Sequence, residues 1–428
     1  MQGKGNVYMK NAKKILLLSM AVILAVAGGC GSQGDGQDAA REELIGIKPG
    51  TSVDQGGENA DQGGENADQG GESVDQGGEN VELEQILRGM TLEEKVAQLF
   101  VILPEALTGT YNVTAAGEKT KQAFDAMPVG GLIYMESNLK SSEQVKEMLA
   151  NVQQYSQART GLPAFLCVDE EGGTVARIAK QPQFGVANVG NMADIGATGD
   201  TGKAYAAGET ISAYLAELGF NVDFAPVADV WDNPANTVVR YRAFGTDPQL
   251  VADMSVSLLD GLRKNHVLGA MKHFPGHGAT EADTHAGCAY TDKTLEELWD
   301  CELVPFQAGI AQDVDFIMVG HISLPQVTGD NTPASLSRVI VTDILREKMK
   351  YDGLVITDAL NMGAVTQNHS SSEAAVKALE AGVDILLMPK DFQTAYQGVL
   401  EAVRSGVLSE ARIDESVRRV LRVKLEKL

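Results

Sequence analysis

From Val81 onward, eight short apolar runs recur with amphipathic stretches between them, and this rhythm constrains the fold more than any other feature of the chain. The runs are VAQLFVI (96–102), GGLIYM (130–135), AFLCVDE (164–170), VDFAPVADV (222–230), LGAMKHF (268–274), DFIMVGHI (315–322), GLVITDAL (353–360) and DILLMP (384–389). Near-continuous apolar runs of this length suit strands buried on both faces, the condition of a parallel sheet covered by helices. The intervening stretches include SSEQVKEMLANVQQYSQA, DPQLVADMSVSLLDGLRKN and SSEAAVKALEAG. Several open on a Ser or Asp suited to an N-cap. Strand and helix alternating eight times predict an α/β fold, a (β/α)8 TIM-type barrel forming one catalytic domain over 81–428; a doubly wound open sheet is the alternative.

The first 80 residues follow other rules. Lys13 and Lys14 precede ILLLSMAVILAVA, which ends in small residues at AGGC, Ala27–Cys30. A basic start, an apolar core and a small-residue end make an export signal over 1–29, and the core is too short to span a bilayer comfortably as a permanent helix. Met9 is an alternative start. The small-small-Cys ending resembles a bacterial lipobox, which implies that Cys30 is lipidated and that the protein is an exported lipoprotein, held by its anchor on the extracytoplasmic face of a membrane. VDQGGEN, ADQGGEN, ADQGGES and VDQGGEN then run from Val53 to Asn80. The seven-residue period supplies no apolar seam for a coiled coil, so 30–80 is expected to be a disordered acidic, Gly-rich tether spanning roughly 40 Å as a flexible coil.

Charge and cysteine content narrow the function. Of the net charge of -23, Gly31–Asn80 contributes twelve acids against two bases. A nucleic-acid partner needs a basic footprint and is not expected. Cys167, Cys288 and Cys301 remain after Cys30, an odd set that argues against a disulfide framework and leaves Cys167 as core.

In a (β/α)8 barrel, chemistry gathers where strands end and βα loops begin. Asp169, Lys272 with His273, His321 and Asp358 end the third, fifth, sixth and seventh runs, so residues distant in sequence should converge on one rim. The stretch KHFPGHGATEADTH, 272–285, holds three of the chain's six histidines. Pro275 and Gly276 rule out a helical His-x-x-x-His metal pair on His273 and His277. A loop-borne metal site on His277, Asp283 and His285 and a purely structural turn are two further readings. The favoured one pairs Asp283 with His285: a carboxylate fixing an imidazole as a general acid and base. Asp358, fixed at a strand end, supplies a carboxylate nucleophile, and the combination fits retaining glycoside hydrolysis with histidine as the acid.

At these residues the chain resembles glycoside hydrolase family 3, in its single-domain β-N-acetylhexosaminidase branch. The motifs that carry the resemblance, in order, are VGGLIYM, VDEEGGTVAR (168–177), NVDFAPVADV (221–230), RAFGTDP (242–248), KHFPGHGATEADTH and GLVITDALNMGAV (353–365). The resemblance implies a barrel with no metal or organic cofactor, Asp358 as nucleophile and His285 with Asp283 as acid/base dyad. It implies that Asp169, Arg177, Arg242, Lys272 and His273 bind the terminal sugar, with Met362 on the pocket wall. The expected activity is exo-β-N-acetylglucosaminidase action on cell-wall fragments or extracellular glycans by a monomer. Relatives with glucosidase activity resemble the barrel but carry a further domain, for which no sequence remains after RIDESVRRVLRVKLEKL. A β-glucosidase-like hydrolase, a phosphorylase of the same family and a glycan-binding lipoprotein without turnover are the competing expectations.

Overall fold

The computed structural model describes residues 76–280, 287 and 289–428, with side chains from Val81 onward. All eight apolar runs contain a strand: β1 Phe100–Ile102, β2 Gly131–Ile133, β3 Phe165–Val168, β4 Val222–Asp223, β5 Leu268–Phe274, β6 Phe316–Val319, β7 Leu354–Thr357 and β8 Leu386–Leu387. Each pairs in parallel with its neighbours in chain order, β8 pairs back onto β1, and a bridge from Ile356 to Ile385 joins β7 to β8. The sheet therefore closes on itself, and the open-sheet alternative is excluded.

The helices begin and end where local chemistry predicts. Ser141 and Asp247 accept the N–H of the third helical residue, Gln144 and Leu250, opening α1 (Ser142–Thr160) and, after α2 (Thr201–Leu218), α3 (Pro248–Arg263). Ser370 and Glu373 form a reciprocal capping box at the start of α4 (Ser371–Ala381), which stops at Gly382 in the left-handed region. The last segment is the amphipathic α5 (Glu410–Glu426), whose Ile413, Val417, Val420 and Leu421 are fully buried.

The strands are buried on both faces, as a covered parallel sheet requires. Phe165 of β3 and Phe316 of β6 meet edge to face at 5.4 Å. Below them the barrel floor is closed by Lys424 of α5. Its ammonium donates to Gln98 Oε1 (2.9 Å) and the Gly130 carbonyl (2.8 Å), just ahead of β1 and β2, and lies 4.9 Å from the Phe165 ring centre. Asp384, just ahead of β8, is fully buried among Arg346, Arg419 and Ser416. This plugged floor leaves the opposite, C-terminal ends of the strands as the open face. Cys167 is buried in β3, as expected of a core residue.

Candidate active site

At the C-terminal rim a cavity of about 320 Å³ is lined by Asp169, Glu171, Arg177, Arg242, Lys272, His273, His277, Asp358 and Met362, with Met135 and Met388 on its walls. Seven residues expected at the site from sequence therefore converge on one cavity: Asp169, Arg177, Arg242, Lys272, His273, Asp358 and Met362. Asp283, His285, Cys30 and Cys288 lie outside the described residues. His321, expected on the rim, is buried beside it, its Nδ1 2.7 Å from Ser335 Oγ and its Nε2 3.0 Å from the Ala359 carbonyl oxygen.

The strand ends set the geometry. Asp169 and Glu171 are two residues apart just past β3 and both face the cavity. Glu170 between them points away, accepting from the Ile178 and Ala179 N–H groups and the Tyr214 hydroxyl. Glu171 is the centre of the charge network. Its carboxylate takes a two-pronged pair from Arg242, Nε at 2.7 Å and Nη2 at 2.8 Å, and the Lys272 ammonium at 2.7 Å. Lys272 also reaches Asp169 at 2.9 Å. Burial pushes the Glu171 carboxyl up, but the Arg242 and Lys272 charges outweigh it and hold the group well below the usual carboxylate range. Arg177 stands looser, 3.7 Å from Asp169 and 3.8 Å from Glu136. Its Nε is buried with no hydrogen-bond acceptor among the described residues.

A bulge shapes the end of β5. Lys272 faces Met318 and Phe274 faces Val319, so His273 is the extra residue against β6, and its ring turns into the cavity. Behind it the buried Asp229 holds Nδ1 at 2.7 Å. The glycines that follow are required by close packing: a Cβ on Gly278 would lie 1.6 Å from the Val230 carbonyl oxygen.

Asp358 follows β7 directly. Its N–H donates to the Val319 carbonyl, and its Oδ1 accepts the Ala359 N–H at 2.7 Å. Burial raises its pKa, but His273, His321, the Ala359 N–H and Lys272 more than offset this, so the group is held below the ordinary aspartate value. It is an ionised carboxylate facing a cavity whose other carboxylates, Asp169 and Glu171, are already paired with cations. Of this group, sequence reasoning missed Glu171 and Asp229.

Away from the cavity, Asp232, Cys301 and Glu302 form the one candidate metal cluster among the described residues, and the Lys293 ammonium already spans its two carboxylates.

Residues 91–423 match the family model described as the glycosyl hydrolase family 3 N terminal domain. The chain is 32% identical over 336 residues to beta-hexosaminidase A of Pseudoalteromonas piscicida, covering 73% of this chain and 56% of that one. It is 36% identical over 281 residues to beta-hexosaminidase LpqI of Mycobacterium tuberculosis, covering 61% and 68% respectively. A solved family 3 beta-N-acetylglucosaminidase from Paenibacillus sp. superposes with a TM-score of 0.74 at 36% identity, covering 79% of this chain and 63% of that one.

Proposed function

This chain belongs to glycosyl hydrolase family 3, and on that premise we propose that it is a retaining exo-β-N-acetylglucosaminidase. The observation that carries the reading is Asp358: a carboxylate kept ionised at the mouth of a barrel strand, facing a cavity of sugar size in which it, Asp169 and Glu171 balance the charges of Arg177, Arg242 and Lys272. Such a cavity suits a neutral ligand rich in hydroxyls. The names of the relatives support the N-acetylated hexose.

In this reading Asp358 attacks the anomeric carbon and forms a glycosyl ester, while the imidazolium of His285, backed by Asp283, gives its proton to the departing glycosidic oxygen. The same imidazole then takes a proton from water as that water displaces Asp358, releasing the sugar with its configuration retained. Asp169, Arg177, Arg242, Lys272 and His273 hold the terminal sugar, and Met362 packs against it. No step calls for a metal or organic cofactor. The assignment of His285 and Asp283 rests on the family motif they stand in.

For the N-terminal part we keep the reading of residues 1–29 as a lipoprotein signal, Cys30 as the lipidated residue and 31–80 as a tether presenting the barrel, 81–428, to carbohydrate outside the cell. Labelled palmitate incorporated by the parent and not by Cys30→Ser is the expected result.

The test of activity is turnover of 4-nitrophenyl β-N-acetylglucosaminide and the matching β-glucoside, each with and without phosphate. The expected result is strong preference for the N-acetyl sugar, free sugar as product, and loss of turnover in Asp358→Ala with an unchanged melting temperature. A sugar 1-phosphate product would make the protein a phosphorylase, and parental activity in Asp358→Ala would remove the nucleophile assignment.

A further inference from the structure

We infer that Asp229 is a positioning residue that fixes which ring nitrogen of His273 carries the proton, and thereby presents Nε2 to the cavity as a hydrogen-bond acceptor. Asp229 is the second-to-last residue of the fourth apolar run, is fully buried, and is not among the residues lining the cavity. Its two oxygens have separate partners. Oδ1 accepts the main-chain N–H groups of His273 (3.1 Å) and His277 (2.6 Å), fastening the start of the loop. Oδ2 lies 2.7 Å from Nδ1 of the His273 ring.

An ionised carboxylate has no proton to donate, so the proton between Oδ2 and Nδ1 belongs to the imidazole. The two main-chain N–H groups on Oδ1 favour the ionised form of this carboxylate. With Nδ1 protonated, the neutral ring carries its lone pair on Nε2. The other neighbours agree: Nη2 of Arg242, which can only donate, lies 3.5 Å from Nε2. Arg242 is itself fixed by Glu171, so the acceptor on His273 and the donors of Arg242 form one preset pattern of opposite hydrogen-bonding character at the cavity wall. A sugar hydroxyl, which both donates and accepts, can bridge the two from the cavity side. His277 stands edge-on to His273 at 5.8 Å, with its own Nδ1 turned to Thr280 Oγ1 at 3.0 Å, and does not compete for Oδ2.

Asp229→Asn is a close test because it preserves shape. The amide oxygen can keep the two main-chain bonds of Oδ1, while the amide nitrogen replaces Oδ2 by a donor. The ring must then move its proton to Nε2, which faces the guanidinium donor to donor. The inference rests on the glycosidase reading only for its kinetic arm. At pH 8, nitrogen-15 chemical shifts of the His273 ring, read without any substrate, should give Nδ1–H in the parent and Nε2–H in Asp229→Asn. Nε2–H in the parent, or one tautomer in both proteins, would overturn the inference whatever the enzyme acts on. On 4-nitrophenyl β-N-acetylglucosaminide, Asp229→Asn should lower kcat/KM by about 10- to 100-fold, chiefly through KM. In a His273→Gln background the same substitution should cost less than about threefold, because no tautomer remains to invert. An equal loss in both backgrounds would assign Asp229 a purely structural role. A parent inactive on every glycoside would instead strike the proposed function and leave the tautomer measurement decisive here.

Discussion

Replacing Glu171 with Gln asks whether the cavity is built to be electrically neutral. Three carboxylates, Asp169, Glu171 and Asp358, stand against three cations, Arg177, Arg242 and Lys272, and the amide would leave one positive charge uncompensated. Gln can accept from Lys272 and Arg242 Nη2 at the Oε1 position, but its NH2 group must then face Arg242 Nε, now 2.7 Å from Oε2. Removing one partner of a buried pair costs about 3–5 kcal/mol. For a domain of this size that is a fall of roughly 5–10 °C in Tm. The pH dependence has a definite sign. The folded pKa of Glu171 is depressed from the ordinary 4.5, so its stabilisation is complete above that value and is lost as pH falls toward the folded pKa. The gap in urea stability between parent and Glu171→Gln should therefore be widest at neutral pH and narrow in acid. In rate measurements KM should rise, and phosphate or sulfate should become competitive inhibitors of the variant at concentrations the parent ignores. A variant with the parental Tm, KM and indifference to phosphate would refute the idea that Glu171 neutralises this wall.

Asp358→Asn should lower kcat by about 10³-fold or more at constant Tm, read with an aryl N-acetylglucosaminide, and a smaller loss would count against covalent catalysis there. Gly278→Ala should cost about 100-fold in kcat/KM, since its Cβ would strike the Val230 carbonyl and displace the loop leaving the cavity, whereas Gly89→Ala, with open space around it, should match the parent. Lys424→Met probes the barrel floor. Burial pushes the Lys424 ammonium down to about 7 from 10.5, so the unfolded chain binds the extra proton between those values and the parent should gain stability as pH rises through that window. The difference in unfolding free energy between parent and Lys424→Met should move by up to about 5 kcal/mol across it. A pH-independent difference would mean that Gln98, the Gly130 carbonyl and the Phe165 ring compensate the burial in full.

What the sequence disclosed and what it hid divide along physical lines. Strands buried on both faces leave an apolar run in the sequence, so all eight barrel strands were legible, and a polar residue toward the end of such a run had to lie on the rim, which placed Asp169, Lys272, His273 and Asp358. Glu171 was legible in principle. Side chains two apart on an extended segment share a side, so in VDEEGG the acid that joins Asp169 at the cavity is Glu171, while Glu170 must turn back toward the Ile178 and Ala179 amides. Asp229 left no comparable trace, because its task is defined by His273, which is 44 residues away and turned toward the cavity by a bulge that no local pattern announces. The same contrast explains where error concentrates in reading such a chain. Periodicity fixes which side of a strand a residue faces, but the tautomer and charge of the groups meeting there depend on partners from other strands. For this cavity that dependence is strong: Asp229 acts on His273, Glu171 acts on Arg242, and the two pairs meet 3.5 Å apart at the wall a sugar would touch.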